Sequence, residues 1–219
     1  TMGGNLCQRT RCGYFMDGRS PCNKREPGTG CAAHGGVNRN HAILGASDAC
    51  IATYPGDMAV ALSALRATVE TEGPDGTREI PMRDFHRLPG DDPSRDNVLK
   101  AGEVITAIRL PAPFGGRQLY RKVRDRASYA FALVSVAAAV RMDNGRIDTA
   151  QLAFGSIAHK PWTDDRVETL LVGERPTPAL FDKAADLLLE DARGQGHNDF
   201  KITLIRRALA AVLAEATGE

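Results

Sequence analysis

No stretch of roughly 18 apolar residues occurs in the chain, which excludes a transmembrane helix. The opening residues, Thr1-Met2-Gly3-Gly4-Asn5, form neither the basic n-region nor the apolar h-region of a secretory leader, so no signal peptide is expected in this sequence. An excess of one charge is also missing. Lys and Arg total 28 against 27 Asp and Glu, a formal net charge of +1. No global field therefore draws the chain to nucleic acid or to an anionic membrane. Aromatic residues are sparse at 5%, yet a hydrophobic content of 42% is enough to build a core and argues against disorder. Internal repeats and low-complexity tracts are absent. The length, 219 residues, suits one or two domains.

Cysteine is absent from residues 51–219, and all five cysteines, Cys7, Cys12, Cys22, Cys31 and Cys50, lie before that point. Random placement would cluster them this way on the order of one time in a thousand, so a local demand for thiols is indicated. The odd count argues against a closed disulfide framework, and a chain of this size does not need one. Cys12, Cys22, Cys31 and Cys50 are separated by 9, 8 and 18 residues. No pair has the C-x2-C spacing of a zinc ribbon, and the intervals miss both ferredoxin patterns. Four thiolates on a long Gly-rich loop suit an iron–sulfur cluster or a zinc ion, and unrelated free thiols are the remaining reading.

Residues 1–50 are rich in Gly, Arg, Asn and Cys and show no helical or strand period, so they read as one long loop. Regular structure begins near Asp57, a plausible N-cap for Met58 to Leu65. Thr68–Thr71 and Thr77–Pro81 flank Pro74-Asp75-Gly76, a hairpin signal. Phe85 to Asp96 reads as loop, and Glu103 to Leu110 alternates as a strand. Phe114-Gly115-Gly116 resembles a linker. Beyond it, Gln118–Arg124, Phe131–Arg141 and Ile147–Ile157 read as strands, the last two joined at Asn144-Gly145. Helices are predicted over about 164–171, 178–189 and 200–215, with Thr177-Pro178 as an N-cap and N1 pair. Val134, Val136, Leu152, Leu187, Leu188, Ile205 and Leu209 form the expected core of this second part. The fold class is α+β.

Candidate functional residues are few. Gly3-Gly4 lets a backbone approach a phosphate closely, although an ordinary turn is the more common origin of such a pair. Lys122 and Arg124 share a strand face that solvent alone would explain, and His34 and His41 rank below the cysteines as ligands. Arg9, Arg11, Arg19, Lys24, Arg25 and Arg39 outnumber Asp17, Glu26 and Asp48 by three in residues 1–50. That local excess is either a solvated face or a surface that steers an acidic electron acceptor.

In combination these residues resemble the FAD subunits of the molybdenum hydroxylases. Thr1-Met2-Gly3-Gly4-Asn5 is similar to the family's second flavin motif, T-x-G-G-N. Tyr54-Pro55-Gly56-Asp57 resembles its P-x-D helix start. Ile108-Arg109-Leu110-Pro111, Tyr120-Arg121-Lys122-Val123 and Lys160-Pro161-Trp162 match later stretches. The segment of about residues 6–50 resembles the cluster loop of periplasmic aldehyde oxidoreductase FAD subunits and, more distantly, that of 4-hydroxybenzoyl-CoA reductase.

The resemblance implies the C-terminal part of a PCMH-type FAD-binding domain over residues 1–113. A domain like the C-terminal one of CO dehydrogenase flavoprotein, an antiparallel three-stranded sheet with helices, would follow over 117–219. The family's first flavin motif has no counterpart here, so the sequence reads as a C-terminal fragment with weak FAD affinity. By the same resemblance, Thr1, Gly3, Gly4, Asn5, Asp57, Ile105 and Lys122 would contact FAD. Cys12, Cys22, Cys31 and Cys50 would hold a [4Fe-4S] cluster, with Cys7 free. The partners would be a molybdenum-cofactor large subunit and a [2Fe-2S] small subunit, in a heterotrimer or larger assembly. Electrons would leave to an acceptor such as ferredoxin or quinone. The location implied is periplasmic, by export with a partner, or cytoplasmic. A subunit-docking fragment retaining at most the cluster is the alternative.

Overall fold

The computed structural model describes residues 1–219. The first half holds short helices α1 (Met2–Leu6), α2 (Gly13–Met16) and α3 (Asp57–Ala64), strands β1 (Thr68–Gly73) and β2 (Gly76–Pro81), the single-turn helix α4 (Met82–Phe85) and β3 (Val104–Arg109). The strands form an antiparallel sheet in the order β2-β1-β3. Gly76, with φ +99°, closes the hairpin where Gly73 faces Gly76. Val69 and Ile80 point inward from this sheet and pack with Leu6, Tyr54, Leu62, Met82 and Phe85.

The second half holds β4 (Arg117–Val123), β5 (Val134–Asp143), β6 (Arg146–Gly155), α5 (Asp165–Leu171), α6 (Pro178–Leu188) and α7 (Phe200–Thr217). Its antiparallel sheet runs β4-β5-β6. Asn144 and Gly145 sit at φ 47° and 73°, the two positive values that a tight primed turn requires. The central strand is buried on both faces. Val134, Val136, Ala138 and Val140 meet the three helices, whereas Ala137 joins Ala153 against Val60 and Ala64 of α3. Small residues on that second face let α3 lie close to the sheet, and this placement positions the candidate site. No helix is long and apolar enough to cross a membrane. The α+β class holds, with two three-stranded sheets.

Several boundaries differ from expectation. The stretch read as loop from Phe85 opens on the end of α4, and His86 then bridges to Asn97. The strand expected from Phe131 begins at Val134, because the chain turns at Tyr129, with φ 56°. Of the expected core, Leu187 is only partly buried, while its companions are fully packed. Ile43 and Leu44, from the cysteine-rich segment, enter the core of the second sheet, where both backbone amides donate to Ile157 O at 2.9 and 3.0 Å.

Two of the three buried histidines, His86 and His159, give the fold a predictable acid sensitivity. His86 Nε2 donates to Leu6 O at 2.8 Å, and His159 Nδ1 donates to Arg87 O at 2.9 Å. The other nitrogen of each ring is buried without a partner, as a bare imine nitrogen permits. Burial pushes both groups down to about 4, from 6.5. On acidification the unfolded chain therefore takes up these protons first, and stability present at neutral pH is lost as pH falls through this window. Two such groups give a slope of roughly 2–3 kcal/mol per pH unit near its middle. Urea midpoints measured from about pH 7 to pH 4.5 are expected to fall, and His86→Gln with His159→Gln should make the fall shallower. A flat wild-type curve would contradict the neutral assignment.

Candidate functional site

The T-x-G-G-N residues form one helical turn rather than the open turn that a Gly pair suggests. Thr1 caps α1 by accepting a hydrogen bond from Gly4 N to its Oγ1 at 3.0 Å. A side chain at position 4 would press on that cap, since its Cβ would lie 2.9 Å from Thr1 Oγ1. Gly3 faces β3, where a Cβ would lie 3.6 Å from Ile105 Cβ. Asn5 O accepts from Tyr54 OH at 3.0 Å, which ties the turn to the segment leading into α3. Thr1, Gly3, Gly4, Asn5 and Ile105 are thus brought together on one side of the first sheet.

Asp57 and Lys122, 65 residues apart, meet directly. Asp57 is the first residue of α3, and the expected N-cap position is taken by Gly56. This frees the carboxylate for side chains: Oδ2 accepts from Lys122 Nζ at 2.6 Å and Oδ1 from Tyr120 OH at 2.9 Å. Tyr120 and Lys122 are two apart on β4, so strand alternation puts both on the face that α3 covers. Burial pushes the Tyr120 phenol up, and it also lies 3.1 Å from Ser135 Oγ on β5. Sequence reasoning missed Tyr120, although its i, i+2 relation to Lys122 was visible.

The four cysteines line one tight recess, whose open volume is only about 10 Å³, together with His41, Lys24 and Asn23. Cys12 precedes α2, Cys22 and Cys31 face each other across an isolated bridge, and Cys50 bridges to Ser47. Cys7 is not part of the recess and packs beside the first core instead. No three His, Cys, Asp or Glu side chains converge closely enough for a single metal ion. Burial pushes the Cys12 thiol up and the Cys50 thiol up to about 11, so both hold their protons at neutral pH until a metal displaces them. His34 is exposed. His41 is buried, with Nε2 at 3.1 Å from Cys12 Sγ. An open cleft beside the recess is lined by Cys12, His41, Thr53, Pro55 and Phe131 and leads toward the start of α3.

Polar side chains rather than apolar packing hold this segment. Asn23 Oδ1 accepts from Gly28 N and Gly30 N at 3.1 and 2.8 Å, and its Nδ2 donates to Ala49 O at 3.0 Å. Lys24 is fully buried, donates to Pro93 O at 2.9 Å and pairs with Asp96. Asp96 also accepts from Arg9 Nε at 2.6 Å. Burial alone would raise Asp96, but Lys24 and Arg9 hold it below the usual carboxylate range. These contacts take Lys24 out of the basic face expected from the sequence. Lys24 is buried against Asp96 and is not part of an exposed face, whereas Arg9 pairs with the same carboxylate and remains partly exposed.

Comparison with known proteins places both halves of the chain in a family. Residues 1–113 match the family described as FAD binding domain in molybdopterin dehydrogenase, and residues 118–216 match the CO dehydrogenase flavoprotein C-terminal domain. The aldehyde oxidoreductase FAD-binding subunit PaoB of Escherichia coli K12 is 50% identical over 100% of this chain and 66% of its own length. The carbon monoxide dehydrogenase medium chain of Afipia carboxidovorans is 30% identical over 73% of this chain and 57% of its own. The crystal structure of a cyanide-inactivated Cu,Mo-CO dehydrogenase superposes with a TM-score of 0.67 at 25% identity, covering 75% of this chain and 57% of that one. Quinoline 2-oxidoreductase from Pseudomonas putida 86 gives a TM-score of 0.62 over 84% of this chain and 60% of that one. The chain thus spans just under two thirds of the length of the first of these relatives and less of the others. It belongs to the family of FAD-binding subunits of the molybdenum hydroxylases.

Proposed function

We propose that this chain is the FAD- and [4Fe-4S]-carrying electron-transfer part of a molybdenum-dependent aldehyde or xanthine-type dehydrogenase. Thr1, Gly3, Gly4 and Asn5 hold the FAD diphosphate or ribityl region. Asp57 accepts a hydrogen bond from the ribityl chain, and Ile105 and Lys122 lie near the isoalloxazine ring. When bound, FAD and the cluster relay electrons from the substrate-oxidising centre to an acceptor. Lys122, steadied by Asp57, keeps a cation where a reduced flavin carries negative charge, and this stabilises the reduced state.

The observation that carries the cluster reading is the convergence of four cysteines, spread over 39 positions of sequence, on one recess that excludes Cys7. A tetrahedral zinc ion needs its thiolates about 3.8 Å apart, given Zn–S bonds of about 2.3 Å. The thiols here are not gathered tightly enough for one ion. The cluster reading rests on the donor set itself, four soft thiolates and no carboxylate in the recess.

The partners that complete the complex are a molybdenum-cofactor subunit and a [2Fe-2S] subunit, with ferredoxin or quinone as the final acceptor. Support comes from the named relatives, which are a FAD-binding subunit and a medium chain of such oxidoreductases. The test is anaerobic addition of an aldehyde to the purified complex. Bleaching of the flavin absorbance is expected. Aldehyde oxidation that leaves this subunit's chromophores oxidised would refute the role.

A further inference from the structure

We propose that His41 donates a hydrogen bond from Nε2 to the Cys12 sulfur and so raises the reduction potential of the cluster that Cys12 helps to hold. The inference rests on the cluster reading above. It begins from the 3.1 Å approach of His41 Nε2 to Cys12 Sγ. A coordinated thiolate can only accept, so the proton of this contact belongs to Nε2. The neutral ring then has a bare Nδ1, and His41 Nδ1 is buried without a partner.

The ring is aimed by its backbone. His41 N donates to Asn38 O at 2.9 Å. His41 O accepts from Asn198 Nδ2 and from Lys201 Nζ, both at 3.0 Å. Lys201 lies at the start of α7, is fully buried, and also donates to Ser156 O at 2.8 Å. Asn198 and Lys201 belong to the second half of the chain, so the part of the cysteine segment that carries the donor is fastened to that scaffold.

Cys12 is the ligand for which such a donor matters most. It lines the buried recess and the open cleft, whereas Cys22, Cys31 and Cys50 line the recess alone. At that sulfur a fixed N–H takes the place of exchanging water. A hydrogen bond to a coordinated thiolate draws electron density from sulfur, weakens its donation to iron and favours the reduced cluster. His41 is accordingly a positioning residue that acts through Cys12.

The test uses the complete subunit purified with its cluster. Iron per chain is measured for wild type, His41→Leu and His41→Gln, followed by redox titration read by electron paramagnetic resonance. Equal iron in all three is expected. The His41→Leu midpoint should move to more negative potential, and His41→Gln, which keeps an N–H donor, should recover part of the shift. Pulsed resonance on reduced wild type with isotope-labelled histidine provides a readout that needs no variant, and a weak nitrogen coupling is expected. Unchanged midpoints at equal iron, loss of iron in His41→Leu alone, or absence of the nitrogen coupling would each overturn the proposal. Absence of iron from wild type would instead overturn the cluster assignment, a failure that the iron measurement identifies before any titration.

Discussion

Single replacement of Cys12, Cys22, Cys31 or Cys50 by Ser is expected to lower the iron content of the purified subunit, while Cys7→Ser leaves it unchanged. The distinction follows from position. Four thiols share the recess, and Cys7 packs against the first core. Serine keeps the size of the side chain but replaces a soft thiolate with a hard, weakly acidic hydroxyl. The consequence extends to the fold, because residues 13–36 contribute few side chains to either core and depend on polar contacts such as those of Asn23. Metal binding in such a segment is folding free energy. The four variants should therefore also show faster proteolysis within residues 13–36 than wild type or Cys7→Ser. Loss of iron in Cys7→Ser alone would reverse the ligand assignment.

A second large effect is expected at Asp57. Replacement by Ala removes the acceptor proposed for the ribityl chain and strips Lys122 and Tyr120 of their shared partner. A hydrogen bond to a charged group contributes about 1.5–3 kcal/mol, so FAD should bind roughly 10- to 100-fold more weakly. The stability cost should be small by comparison. Asp57 is 43% exposed in its ion pair with Lys122, and pairs at such sites contribute about 0–1 kcal/mol. Flavin titration and a thermal melt on the same sample separate the two. Lys122→Met should bind FAD but make it harder to reduce, because the cation beside the reduced ring is gone. Wild-type FAD affinity in Asp57→Ala would remove Asp57 from the site.

Much of the second half was legible from local signals. Thr177 accepts from Leu180 N at 3.2 Å and Pro178 starts α6, as the Thr-Pro pair predicts. Asn144-Gly145 turns between β5 and β6 as its composition requires. Misreadings arose where a tertiary contact outweighed a local preference. The Gly pair at positions 3 and 4 favours a turn, yet the Thr1 cap and the Tyr54 bond to Asn5 O hold it as helix. Asp57 is a good capping residue, but Lys122 and Tyr120 claim its carboxylate from another strand.

Charge was the least legible feature. Lys24 reads as a solvated residue, yet Asp96 lies 72 positions away and draws it into the interior. Lys201 is buried because two backbone carbonyls, His41 O and Ser156 O, receive its ammonium. No window of sequence contains both ends of such a pair. The cysteine set was visible from its clustering, but the His41 ring beside Cys12 emerges only when 29 residues of chain fold back.

The most direct test of the account is metal and sulfide analysis of the complete subunit, purified without oxygen and then reduced. About four iron and four inorganic sulfide per chain are expected, as [4Fe-4S] stoichiometry requires, together with a paramagnetic signal on one-electron reduction. Zinc in place of iron, or a protein with FAD bound and neither iron nor sulfide, would contradict it.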